Sequence, residues 1–394
     1  MSCDPMFGLY IHWPYCLSKC PYCDFNSHVA DRIDHQAWRR ALLTELDHYA
    51  ARTPDRILTS IFFGGGTPSL MAPETTAALI ERARRHWPTA NDIEITLEAN
   101  PGAVDRDKFR AFRDAGVNRV SLGVQALDQD ALVFLGRRHD REEALRAIES
   151  AAALFSRFSF DLIYARPGQT PEDWRAELRR ALPLASAGHL SLYQLTIEEG
   201  TRFYLDHAAG RFHIPDDDLA IALWDVTQEE MEKAGMPAYE VSNHARPGEE
   251  SRHNLLYWRG GEYVGIGPGA HGRICEKGID YATRQHRAPE IWLKETLSAG
   301  HATRTNDPVS PRDRAIERVM MGLRLRDGID PTQFEALGGI ALSDIIDADM
   351  LALLIREDLI AEASLNGTAP LRVTAKGMPV LNAVIAALVT DPAG

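Results

Sequence analysis

The chain is short of positive charge. It carries 43 lysines and arginines against 56 aspartates and glutamates, a formal charge of −13. The basic footprint that phosphate binding needs is missing, which excludes nucleic acid as the expected partner. No apolar run approaches the length that crosses a bilayer, so a spanning segment is not expected. The opening MSCDPMFGLYIHWPYC lacks both the basic start and the apolar core of a signal peptide. The expected address is cytoplasmic. Cysteine is scarce too, five in 394 residues, an odd number that does not look like a secreted disulfide framework. Internal repeats and low-complexity tracts are absent. What is there, 45% hydrophobic and 25% charged residues, makes an ordinary globular chain with room for one large core and a smaller domain.

Three of the five cysteines crowd into eight residues, Cys16-x3-Cys20-x2-Cys23, within YIHWPYCLSKCPYCDF. Cys3 and Cys275 stand apart and read as ordinary thiols. Iron–sulfur cubanes are normally held by four thiolates. Three close together can grip three irons and leave the fourth open to a chelating amino acid. Pro14 and Pro21 stiffen the loop that must wrap so bulky a group. Zinc, completed by His12 or His28, is the competing reading, but zinc ribbons prefer two separated cysteine pairs.

The first two-thirds of the chain alternate short apolar strands with amphipathic helices. Strands are predicted at Phe7–His12, Leu58–Phe63, Ile93–Leu97, Arg119–Val124, Phe158–Ile163 and Leu190–Leu195. A helix capped by Asp34 places Trp38, Leu42, Leu46 and Tyr49 on one face. Strands separated by helices imply a parallel α/β sheet, and six such units fit an incomplete barrel as well as a doubly wound sheet. In either case the site lies at the C-terminal strand ends. The polar and glycine-rich signals fall there: the cysteine loop, Gly64-Gly65-Gly66-Thr67, Glu98, Gln125 and, within the fifth strand, Asp161.

Past Ala299 the pattern changes. His301–Pro311 reads as a linker, rich in Thr, Asn, Asp, Ser and Pro. Helical segments follow around Arg314–Leu325 and Met350–Arg356, then two short strands about an Asn366–Gly367 turn, then a last helix after Gly377. This is a small winged-helix-like α+β domain. Residues 308–394 hold 8 Lys/Arg against 12 Asp/Glu, which speaks against DNA. The expected division is a core over 1–240, an extension over 241–300 and a C-terminal domain over 301–394.

The x3–x2 cysteine spacing at the end of a first strand resembles the signature of the radical S-adenosylmethionine (SAM) proteins, and the likeness covers nearly the whole chain. It is nearest to the branch of oxygen-independent coproporphyrinogen III oxidase and, within it, to the haem chaperones. The resemblance implies a partial (β/α)6 TIM-like barrel and a [4Fe–4S] cluster on Cys16, Cys20 and Cys23. It also implies SAM on the fourth iron, cleaved in that family to methionine and a 5′-deoxyadenosyl radical by one electron. It makes Tyr10, Gly64, Gly65, Gly66, Thr67, Glu98, Gln125, Arg137 and Asp161 the residues that seat SAM. In the oxidase another cysteine is expected two residues after the third, where this chain has Phe25, and a long arm precedes the first strand. Both favour a chaperone. His253-Asn254-Leu255-Leu256-Tyr257-Trp258 resembles the HNxxYW motif associated with haem binding, making His253 the candidate haem ligand. The partners it implies are haem and unidentified haem acceptors, with respiratory membrane proteins an acceptor class by analogy. The alternatives are the oxidase itself, or a radical SAM enzyme with another substrate in which His253–Trp258 is purely structural. His271, in GIGPGAHG, resembles a place where the oxidase meets a second SAM, but its glycines read as a turn. One departure stands out: after Asp161 the chain reads LIYARPGQT where relatives read closer to LIYGLPGQT. It places Ala165 where glycine is usual and Arg166 where an apolar group is.

Overall fold

The structure, a computed structural model, describes residues 6–30, 32–362 and 369–389. Six parallel strands form where the sequence places them: β1 (Phe7–Trp13), β2 (Leu58–Gly65), β3 (Thr89–Ala99), β4 (Arg119–Gln125), β5 (Arg157–Tyr164) and β6 (His189–Gln194). Each neighbours the next in order. The helices α1 (His35–Arg52), α2 (Pro73–His86), α3 (Arg106–Asp114), α4 (Arg141–Leu154) and α5 (Pro171–Ala181) lie in the crossovers. In α1, the Asp34 carboxylate accepts the Gln36 and Ala37 amides, and Trp38, Leu42, Leu46 and Tyr49 are buried. Burial of side chains of this size stabilises by about 1.5–3 kcal/mol each.

The sheet goes further than six strands. After β6 come α6 (Asp217–Lys233), the short edge strand β7 (Asn243–Ala245) and α7 (Arg252–Trp258). Then β8 (Glu262–Ile266) pairs in parallel with the free side of β1, Phe7 opposite Glu262 and Ile11 opposite Ile266. Two antiparallel strands, β9 (His271–Glu276) and β10 (Ile279–Gln285), extend that side. The helix α8 (Pro289–Ala299) folds back so that Trp292 stacks on Trp38, ring centroids 5.1 Å apart. The expected linker at 301–311 is a strand instead, β11 (Thr303–Val309), paired antiparallel with β10. Its polar, largely exposed residues suit a sheet edge, where a proline such as Pro308 removes no needed donor. The eleven strands form one open sheet in the order β11-β10-β9-β8-β1-β2-β3-β4-β5-β6-β7, a partial barrel with β1 near its centre.

One buried carboxylate holds the late strands to α1. Glu45 is fully buried and accepts the Gly267 amide (2.8 Å), the Trp292 indole N–H (2.9 Å) and the Ala302 amide (3.0 Å). Burial pushes its pKa up to about 7, with those three donors opposing the rise.

A second core begins at Ala315. The helices α9 (Pro311–Gly322), α10 (Pro331–Gly338), α11 (Ala348–Arg356) and α12 (Leu381–Leu388) enclose Val319, Leu323, Ile345 and Leu388. Arg314 fastens α9 to the main sheet, its guanidinium 2.7 Å from the Gly260 carbonyl. The Asn366–Gly367 turn lies outside the described residues. Among the described residues on either side there are isolated bridges in place of two strands, Ile360 with Val373 and Ile329 with Leu371.

Candidate functional site

The strand ends converge as expected. Cys16, Cys20 and Cys23 line one pocket with Gly65, Gly66, Thr67, Glu98, Gln125, Arg137 and Asp161. The cysteine loop crosses it, and β2 to β5 supply its wall. Burial raises the thiol pKa of Cys16 and Cys23, and Cys20 raises both further by like charge. Donors oppose that rise: the Thr67 hydroxyl lies 3.3 Å from Cys16 Sγ and the Ser27 hydroxyl 3.8 Å from Cys23 Sγ. The Arg137 guanidinium lies 3.1 Å from Cys20 Sγ. Three sulfurs, each with a polar donor beside it, suit an iron–sulfur cluster.

The zinc reading loses its fourth ligand. His12 Nε2 donates to the Asn26 carbonyl (2.9 Å) and its Nδ1 accepts from the Tyr10 hydroxyl (2.9 Å), while His28 Nε2 meets the Asn26 side chain at 3.2 Å. Among the described residues no three His, Cys, Asp or Glu side chains converge closely enough for a single ion. Three cysteines lining one pocket could each hold one iron of a cluster.

The glycine run serves the protein itself. A Cβ on Gly66 would sit 2.8 Å from the Tyr15 carbonyl oxygen, and one on Gly65, at φ +112°, would strike the His12 ring at 2.6 Å. The amides of the run are spent internally. Gly65 N–H donates to Glu98 (3.2 Å), Gly66 N–H to Trp13 O (2.7 Å) and Thr67 N–H to Tyr15 O (2.8 Å). The run therefore lets β2 pass tightly beneath the cysteine loop and holds Glu98 in place. Gly64 packs between the Tyr10 and Phe62 rings, and Tyr10 itself lines an adjoining cavity rather than the cysteine pocket. Arg137 lines the cysteine pocket; its guanidinium meets the Cys20 thiol, the Tyr22 hydroxyl and the Gly123 carbonyl, while its Nε is buried without a partner among the described residues.

Gln125 stands at φ +75°, unusual for a residue with a side chain, where the pairing of β4 with β5 breaks register after Leu122. Such irregularities re-aim a side chain at the end of a strand. Glu98 and Asp161 share the pocket floor. Burial pushes Glu98 up to about 8, helped by Asp161, and pushes Asp161 up to about 6. A cationic ligand binds their ionised forms better. SAM, with its sulfonium and ammonium, is accordingly expected to bind more tightly as pH rises from about 6 to 8, then level off. The change is at most about tenfold per pH unit. Binding isotherms across that range test this, and Glu98→Gln should flatten the upper half.

The family comparisons agree with this geometry. Residues 10–181 match the model of the Radical SAM superfamily, and residues 309–380 that of the HemN C-terminal domain. The chain is 40% identical to heme chaperone HemW of Escherichia coli (strain K12), covering 87% of this chain and 88% of that one. It is 38% identical to the bovine mitochondrial radical S-adenosyl methionine domain-containing protein 1, covering 97% and 87%. The chain belongs to the HemN/HemW-like family of radical SAM proteins. Among solved structures, the E. coli coproporphyrinogen III oxidase HemN superposes with a TM-score of 0.79 over 98% of this chain and 90% of that one, at 22% identity. That likeness shows the fold. Its family gives the chain a [4Fe–4S] cluster and SAM as cofactors, and the pocket just described has the residues to receive both. The group supplies one-electron cleavage chemistry when bound. Relatives include bacterial and mitochondrial proteins, and no described helix is long and apolar enough to cross a membrane.

His253 is placed differently from the expectation. It is 1% exposed, and both ring nitrogens are engaged, Nδ1 with the Ser60 hydroxyl and Nε2 with the Tyr257 hydroxyl, each at 2.8 Å. Its ring stacks on Phe62 at 5.0 Å, and burial lowers its pKa to about 3. In this conformation it offers no nitrogen to iron, and the HNxxYW helix packs α7 against β1 and β2. His271, expected in a turn, instead opens β9 and is exposed.

The two departures from the family pattern are explained locally. Ala165 is buried at φ +58°. Arg166 is neutralised by Glu177 at 2.5 Å, whose other oxygen accepts the Leu127 amide. The left-handed alanine carries a steric cost that glycine lacks. Ala165→Gly is expected to stabilise the protein by about 1 kcal/mol, read as a rise in denaturation midpoint without loss of cluster.

Proposed function

We propose that this protein binds haem and passes it to acceptor proteins, its SAM-liganded cluster serving that task, and that it works in the cytoplasm. Cys16, Cys20 and Cys23 would hold the cluster, and Glu98, Gln125 and Asp161 would face SAM. The observation that carries the reading is the relation to proteins named heme chaperone HemW, 35–40% identical over 87–91% of this chain. Phe25, exposed at the pocket rim in place of the oxidase's further cysteine, supports it. The second reading, coproporphyrinogen III oxidase chemistry, is favoured by the likeness to HemN along the whole fold.

One anaerobic experiment separates them. With the cluster reconstituted, haem is expected to bind and then move to an apo-haemoprotein. Coproporphyrinogen III with SAM and reductant should yield no protoporphyrinogen. Turnover would establish the oxidase instead, and failure to bind haem would remove the chaperone reading.

A further inference from the structure

Beside the cysteine pocket, and sharing Gly65, Glu98 and Phe25 with it, lies a second opening of about 390 Å³ between the cluster loop and the β9–β10 hairpin. Its chemistry is unusual for so acidic a chain. His271 and Arg284 face each other across the β9–β10 ladder, and Arg287 follows two residues past the end of β10. Most guanidiniums in the barrel pair with carboxylates. Among the described residues, however, neither Arg284 nor Arg287 has an ion-pair partner, and Arg284 Nε is buried without a hydrogen bond. An unpaired, partly buried arginine such as Arg284 is costly unless an anion completes it, and the exposed Arg287 lines the same opening. The one carboxylate lining this opening, Glu98, is held largely protonated near neutral pH and does not supply that anion.

An exposed aromatic lines the same opening as these cations. Phe25 is 59% exposed there, a large aromatic surface with nothing over it among the described residues. Desolvation, together with the charges of Arg284, Arg273 and Arg287, lowers the His271 pKa, toward the neutral imidazole that ligates metals. Arg273 is itself taken by Glu317 at 2.9 Å, which leaves the other two for a ligand.

We infer that this opening is the seat of the haem: Arg284 and Arg287 receive the two propionates, Phe25 lies against the macrocycle, and His271 offers its nitrogen to the iron. The inference rests on the haem-carrier reading above and relocates the ligand from the buried His253. A tether joins seat and cluster, because the Asn26 side chain donates to both the Pro268 carbonyl (2.8 Å) and the Arg287 carbonyl (3.0 Å).

The test compares haem with its dimethyl ester, in which both propionates are neutral, on the full-length, cluster-loaded protein. Esterification is expected to weaken binding to the unaltered protein by at least about tenfold, as loss of charge-assisted hydrogen bonds implies. In the Arg284→Ala/Arg287→Ala variant it should change binding less than about twofold. His271→Ala should alter the haem spectrum, whereas His253→Phe should leave it as in the parent. An ester that binds the unaltered protein as tightly as haem would overturn the seat, needing no variant to fold. So would an esterification penalty that persists undiminished in the double variant, or a spectrum that ignores His271. In those cases haem still binds and the carrier reading stands. Absence of any haem binding would remove the carrier reading and the seat together.

Discussion

Replacing Cys20 by alanine is expected to abolish the [4Fe–4S] cluster, iron falling from about four atoms per chain to near none after reconstitution. Three protein thiolates are the fewest that leave a single iron for SAM, and two cannot hold a cubane against solvent. The loss should weaken SAM binding with it, since the open iron goes and Glu98, raised to about 8, is mostly protonated near neutral pH, leaving Asp161 as the main charge facing the ligand. Cys275→Ala is the control: that cysteine sits in β9, away from the pocket lining, and iron content should not move. Iron and sulfide assays on the two variants decide the matter. Retention of a full cluster in Cys20→Ala would mean that another residue serves as ligand.

The second large effect is on stability. Glu94, in β3, is buried and faces Arg157 at 2.6 Å and Arg119 at 3.9 Å. It also accepts the Arg252 and His253 amides at 3.2 Å each, which caps α7 with a negative charge at its positive end. Glu94→Ala leaves Arg119, only 3% exposed, without its counter-charge. Breaking a buried pair from one side costs about 3–5 kcal/mol, and denaturant unfolding should show a loss of that size. The attached pH dependence has a definite sign. The two arginines hold the Glu94 pKa below its ordinary 4.5, so its contribution is complete above that value and is lost as pH falls through the lowered one. The variant should therefore lose less stability on acidification than the parent.

Much of the barrel was legible because its signals are local. Six apolar runs at strand length, the Asp34 cap and the cysteine spacing each depend on residues near one another in the chain. What was missed is long-range. Nothing near Glu262–Ile266 says that this strand pairs in parallel with Phe7–Ile11. Nothing in TRTNDPV distinguishes an edge strand from a linker until β10 lies beside it. The candidate site divides likewise. Its cysteines and carboxylates were visible as residue types at strand ends, whereas the burial of His253 depends on Ser60 and Phe62 from a distant strand. Arg284 and Arg287 have no motif of their own, and only the absence of acidic partners among the described residues marks them out.

The placement of β1 has a consequence for how the chain is made. Its partners on one side come from β2, available early in synthesis, but those on the other belong to a strand emerging about 250 residues later. Until then the central strand of the finished sheet is an unprotected edge, directly preceding the loop that must capture iron and sulfide. Truncated products ending before Glu262 would keep that edge open, and would aggregate through it more readily than the complete chain. The last third of the polypeptide thus acts as the guardian of the first.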